Sequence, residues 1–166
     1  MNLEKIVLAD LEHELSGTRR MLERIPDDHL AWKPHEKSFT LGELARHVSN
    51  LVYWQVTILR DEAFDLQAAP APLGALPNRE ALLEEFDRSR EELESALAKV
   101  DPDHLSKDWT LRNGEHIVAT QPRLVALRLF GVNHLVHHRG QLGVYLRLLE
   151  VPVPGLYGPS ADEKGG

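Results

Sequence analysis

The sequence predicts an all-α protein, a four-helix bundle with one long crossover, formed by a single domain over residues 1–166. Three observations carry that prediction. Four long segments repeat apolar residues at i, i+3/i+4 spacing, the period of a helix that buries one face. A Pro/Ala-rich stretch, AAPAPLGALP at 68–77, separates the second segment from the third and reads as the long connection. A chain of 166 residues can bury a substantial core without needing a second domain.

The first helix is expected over residues 3–24, with Leu3, Val7, Leu11, Leu15, Thr18, Leu22 and Ile25 along one stripe and Pro26 as its stop. IPDDHLAWKP makes a turn-rich connection. The second helix starts at SFTLGEL, where Thr40 and Glu43 form a capping-box pattern and Phe39 and Leu44 take hydrophobic-staple positions; it is expected to reach Arg60. Asn78 is a good N-cap for a third helix running to about Val100, with Leu82, Phe86, Leu93, Leu97 and Val100 on one side. DWTL and EHIVAT read as short extended pieces of a hairpin around Asn113-Gly114. Pro122 suits the first turn of a fourth helix that ends before Pro152 and Pro154, and the tail VPVPGLYGPSADEKGG is irregular.

Composition narrows the function classes. Acidic residues outnumber basic ones, 26 to 19, for a net charge of -7. Nucleic-acid binding requires a basic face to neutralise phosphates, so no nucleic-acid partner is expected. Without cysteine the chain has neither disulfides nor thiolate metal ligands. The charged start MNLEKIVLADLEHEL lacks the apolar run of a signal peptide, and no stretch approaches the ~20 apolar residues of a membrane span. A cytoplasmic protein with no membrane partner is the expectation.

Nine histidines are present. His13, His29, His35, His104 and His116 fall in exposed-looking contexts. His47 lies on the face that also carries Leu44, Leu51, Trp54 and Ile58, the centre of the second helix's buried stripe. His134 and His138 are four apart, which stacks their rings about 6 Å apart on one helical face where both reach one ion. Leu127, Phe130, Gln141 and Tyr145 share that stripe; His137 lies about 60° to one side, beside the site. Burying three imidazoles without partners costs several kcal/mol of lost hydration. A shared divalent metal removes that cost, so His47, His134 and His138 are the expected metal ligands. No H-E-x-x-H is present, because position 135 is Leu, and the Glu-x-x-His pairs of di-iron bundles are absent from helices two to four. One ion per chain is expected. Three imidazoles leave a tetrahedral ion one open position, the catalytic rather than the closed structural pattern. Zinc or nickel suits such ligands foremost, with iron, manganese or copper also accommodated.

WKPHEKSFTLGELARHV (32–48) and NHLVHHRGQLGVYLRLLEVPVPGLYGPSADE (133–163) resemble the DinB-like family, also called the DinB/YfiT superfamily. Its pattern is a Trp-Lys-Pro turn, a "gel-x-x-H" helix, a late H-x-x-x-H-R-G-Q helix and a YGPS-type tail, and the likeness covers nearly the whole chain. The resemblance implies an up-down-down-up bundle, usually a homodimer, with one divalent metal on three histidines that map to His47, His134 and His138. It also implies a small-molecule substrate, because relatives use the metal to activate a low-molecular-weight thiol such as bacillithiol or mycothiol.

No residue is identified as catalytic with the same force. Glu14, near the middle of the first helix's apolar face, is a candidate to orient a ligand imidazole or act as base, set against the alternative that it reaches solvent. Gln141 and Tyr145 continue the metal-facing stripe and are candidates for substrate or supporting contacts. Arg139 points away from His138 and is expected to pair with a neighbouring helix or the tail; Gly140 is expected to permit close helix approach. Two functions remain open: a metal-dependent enzyme, by thiol transfer or hydrolysis, and a noncatalytic metal-binding bundle serving as a stress-related sensor or interaction module.

Overall fold

A computed structural model describes residues 3–68 and 74–163. The protein is mostly helical, with a small sheet. In chain order it comprises α1 (Leu3–Leu22), a short 3-10 turn (Asp27–His29), α2 (Leu41–Arg60), β1 (Ala63–Asp65), α3 (Arg79–Leu97), α4 (Pro102–Leu105), β2 (Asp108–Asn113), β3 (His116–Pro122), α5 (Arg123–Ala126), a wide-turned π segment (Leu127–Asn133) and α6 (His134–Leu148). The last three join as one helical run. Of the crossover expected over 68–77, residues 69–73 lie outside the described residues.

The helix boundaries follow local chemistry. Thr40 caps α2: its Oγ1 accepts from the Glu43 amide, and the Glu43 carboxylate accepts from the Thr40 amide in return. Asn78 caps α3 by accepting from the Ala81 amide. The expected stripes face the core, with Leu11, Leu15, Leu22 and Ile25 from the first segment and Leu82, Phe86 and Leu93 from the third all buried. α2 is the central helix, packed against both α3 and α6, while α1 packs against the same two.

A three-stranded sheet, ordered β1-β2-β3, corrects the all-α expectation. The hairpin lies where its sequence predicts it, but the turn is displaced by one residue. Asn113 pairs with His116, so Gly114 and Glu115 form the loop, and Gly114 takes the positive φ of 60°. β1 then adds in parallel, with Ala63 opposite Thr110. Trp109 and Leu111 on β2 point into the core, which anchors the sheet to the helices.

The final run starts immediately after β3. Pro122 ends the strand and precedes the helix instead of occupying its first turn. The π segment winds against α2 at Gly131, where an added Cβ would lie 2.8 Å from Gln55 Cγ. Gly140 faces open space, contrary to its expected packing role; Gly17 instead provides the close approach, with Arg139 Nη1 3.2 Å from the position of an added Cβ.

Candidate metal centre

His47 projects from the second turn of α2, whose start the capping box fixes, and His134 and His138 from the first turns of α6. The structure brings these three together from two helices. Each offers one ring nitrogen, and these atoms lie within 4.8 Å of one another. The His47 ring centroid is 5.3 Å from that of His134 and 4.4 Å from that of His138. His134 Nε2 and His138 Nε2 are 3.0 Å apart. Bonds of about 2.0–2.1 Å to one tetrahedral ion put ligand nitrogens about 3.4 Å apart, so this separation suits a shared ion.

The electrostatics favour ligation. Burial, followed by the neighbouring His138 and His134, pushes His47 down to about 4. Burial and the neighbouring His138 and His137 also push His134 down to about 4, against a backbone hydrogen bond at Phe130 that favours its charged form. His138 is lowered too, mainly by burial, with its Gln141 hydrogen bond acting in the opposite direction. All three rings are therefore neutral at pH 7, so none has to lose its positive charge before binding a cation. They are half-buried, not sealed, so the cluster is reachable from solvent.

Aromatic side chains flank the imidazoles. Phe39 lies 5.8 Å from His47, centroid to centroid, and Trp54 lies 6.0 Å from His134. Trp54 in turn packs on Phe64 of β1 at 4.6 Å. Tyr145 donates through its hydroxyl to the Phe39 carbonyl at 3.3 Å and meets Trp32 edge-on. Tyr145 thus ties α6 to the loop that carries Phe39.

The remaining candidates separate. His138 Nδ1 donates to Gln141 Oε1 at 2.8 Å, and Gln141 Nε2 donates to His137 Nε2 at 3.1 Å. Glu14 is 8% exposed, and its carboxylate is taken up by Arg139 and the Tyr157 hydroxyl rather than by an imidazole of the cluster. Arg139 also donates to the Glu14 carbonyl and to Thr18 Oγ1. It therefore pairs with both the neighbouring helix and the tail. Three contacts went unread in the sequence: Phe39 beside His47, Tyr157 on Glu14, and the His137–Gln141 link. Helical spacing carried a signal only for the last, with Gln141 three residues from His138 and four from His137.

Helices presenting three convergent, neutral histidines around a solvent-reachable centre define a helical protein with a histidine triad suited to one divalent ion. The chain matches the family model of the DinB superfamily over residues 10–142 and belongs to that superfamily. It is similar to the uncharacterized protein YrdA of Bacillus subtilis (strain 168), 26% identical over 156 residues, covering 94% of this chain and 89% of that protein. Its fold is like that of a DinB-like protein from Bacillus cereus ATCC 10987, with a TM-score of 0.71 at 20% identity over 91% of this chain and 95% of that one. It is also like that of a mycothiol-dependent maleylpyruvate isomerase, with a TM-score of 0.62 at 16% identity, where this chain spans 62% of that enzyme's length.

Proposed function

We propose that the protein is a metal-dependent enzyme. One divalent ion, zinc or nickel foremost, is held by His47, His134 and His138, and the substrate is a small molecule processed by thiol transfer or hydrolysis. The observation that supports this most directly is the convergence of three neutral imidazoles from α2 and α6 within 4.8 Å. When bound, such an ion supplies Lewis acidity at the positions that three histidines leave free. The chain's own residues do the rest. The imidazoles hold the charge in place, and Phe39 and Trp54 supply apolar walls for the carbon skeleton of a substrate. A low-molecular-weight thiol is the favoured co-substrate, in line with the similarity to a mycothiol-dependent isomerase. The same reading takes the four long helices as an up-down-down-up bundle, and the protein as a cytoplasmic homodimer.

The test is metal content by mass spectrometry on untagged protein, beside His47→Ala and His138→Ala. Close to one divalent ion per chain is expected, with both variants empty. Protein that stays metal-free after reconstitution would withdraw the metal site and the enzyme together. A bound ion with no turnover of mycothiol-type or bacillithiol-type donors, nor of hydrolysable substrates, would instead assign a noncatalytic sensor.

A further inference from the structure

The three histidines do not by themselves explain how His138 presents the correct nitrogen. An imidazole binds a cation through a ring nitrogen that carries no proton, and a neutral ring has one such nitrogen, set by the tautomer. His138 faces the cluster with Nε2, 3.0 Å from His134 Nε2, a hydrogen-bond distance at which, without an ion, one of the two nitrogens carries the proton and the lone pair falls to the other. It can serve as a ligand there only if its proton sits on Nδ1.

On the outer side, a side-chain amide meets that Nδ1. Gln141 Oε1 lies 2.8 Å from His138 Nδ1, and an amide oxygen accepts but never donates. This orientation requires Nδ1–H on His138 and leaves Nε2 with its lone pair towards the cluster. An amide can flip, however, and the flipped group would offer N–H to Nδ1 and drive the proton onto Nε2. His137 opposes the flip when its own proton sits on Nδ1. Its Nε2 is 3.1 Å from Gln141 Nε2 and accepts one amide hydrogen. Flipping would place the amide oxygen against that lone pair.

We propose that Gln141 is the positioning residue for His138, and that His137 is the outer anchor that holds the Gln141 amide with its oxygen towards His138. From outside inward, the polarity runs from the His137 lone pair through the amide N–H and the amide oxygen to His138 Nδ1–H, and ends on a lone pair directed into the cluster. The run H-H-R-G-Q over 137–141 thus contains one ligand and two residues that act through it. Neither His137 nor Gln141 is a ligand. The inference rests on the metal-site reading, but the tautomer exists without the ion and can be measured without it.

His137 and Gln141 are exposed, so truncating them opens no core cavity. Imidazole nitrogen-15 NMR of metal-free protein reports the proton position on each ring directly. Wild type is expected to show His138 as the Nδ1–H tautomer, and Gln141→Leu as a mixture or as Nε2–H. Gln141→Glu keeps an acceptor that needs no anchor and is expected to restore Nδ1–H, even when combined with His137→Ala. Zinc affinity, measured by competition with a chromophoric chelator, is expected to fall 10- to 100-fold in Gln141→Leu, the usual loss when an outer partner of a ligating histidine is removed. It should fall less in His137→Ala and recover in Gln141→Glu. An Nε2–H tautomer in wild type, or a His138 tautomer indifferent to Gln141→Leu, overturns the proposal whether or not metal binds. Absence of zinc binding in wild type, with the tautomer as expected, would remove the metal reading and leave the positioning result standing.

Discussion

Arg139 is 2% exposed and follows a metal-ligand candidate in sequence, yet its chemistry points away from the cluster. Its guanidinium donates to the Glu14 carboxylate, the Glu14 and Thr18 oxygens, and the Tyr157 hydroxyl at 2.7 Å. Tyr157 donates to Glu14 in turn at 2.8 Å; its ring is largely exposed, but desolvation of the hydroxyl end and that carboxylate hold the hydroxyl above the ordinary phenol range. The node joins α1, α6 and the tail. Removing one member of a buried pair strands the other charge, which typically costs about 3–5 kcal/mol. Arg139→Ala is therefore expected to lower unfolding free energy by about that amount, and Tyr157→Phe by about 1 kcal/mol for a lost hydrogen bond. Urea denaturation checks both; an Arg139→Ala loss below about 1 kcal/mol would show that Glu14 finds solvent instead. In the sequence, period alone placed Glu14 on the apolar face and Arg139 off the ligand stripe. It could not name their partners, because helical spacing fixes a direction but not what approaches from another element. The three histidines were legible for the same reason: each needed only to point inward.

At the scale of elements, local signals decided what could be read. Capping residues at Thr40 and Asn78 placed the starts of α2 and α3 to the residue, because a cap is a contact within three positions of sequence. The hairpin was legible from Gly114, whose positive φ few other residues adopt. β1 was not. Three residues, Ala63–Asp65, carry no period, and their strand exists only through pairing with residues more than forty positions later. The π segment was equally silent, since its residues carry the ordinary helical period; it packs Gly131 against Gln55 of α2. That site yields a prediction whose sign is informative. In an ordinary helix, glycine to alanine stabilises by roughly 0.5–1 kcal/mol. Here the added methyl would meet Gln55 Cγ at 2.8 Å, inside a fully buried side chain, where overpacking costs about 1–3 kcal/mol. Gly131→Ala is expected to lower the melting temperature and, because the π segment leads directly into His134, to weaken zinc binding. A raised melting temperature would mean that the segment relaxes to a regular helix without penalty.

For the molecule as a whole, the cluster makes stability depend on pH in a window of its own. An unfolded chain binds protons on histidine with pKa near 6.5, whereas the folded chain holds His47 and His134 down to about 4. Between those values the unfolded state carries more protons, so stability rises with pH and is lost on acidification from about 6.5 towards 4. Each histidine contributes up to about 1.4 kcal/mol per pH unit within the window, reduced by solvent screening of half-buried rings. The carboxylates titrate in the same direction but lower. The Thr40 backbone and side-chain hydrogen bonds hold Glu43 below its ordinary value, and the Arg147 hydrogen bond, with that of the Val153 amide, holds Asp162 at about 2. Their stabilisation is lost only as pH falls below the ordinary carboxylate range, so any slope between pH 6.5 and 5 belongs to the imidazoles. Metal-free protein is therefore expected to lose stability steadily over that interval in urea titrations, and His47→Phe, which keeps an apolar ring in place, to show a shallower slope. Zinc should move the wild-type curve upward most at neutral pH, by about 2.7 kcal/mol at a hundredfold excess over its dissociation constant, because there it meets no proton on the ligands. A slope that persists unchanged in His47→Phe would assign the window to His134, His138 and the other histidines rather than to His47.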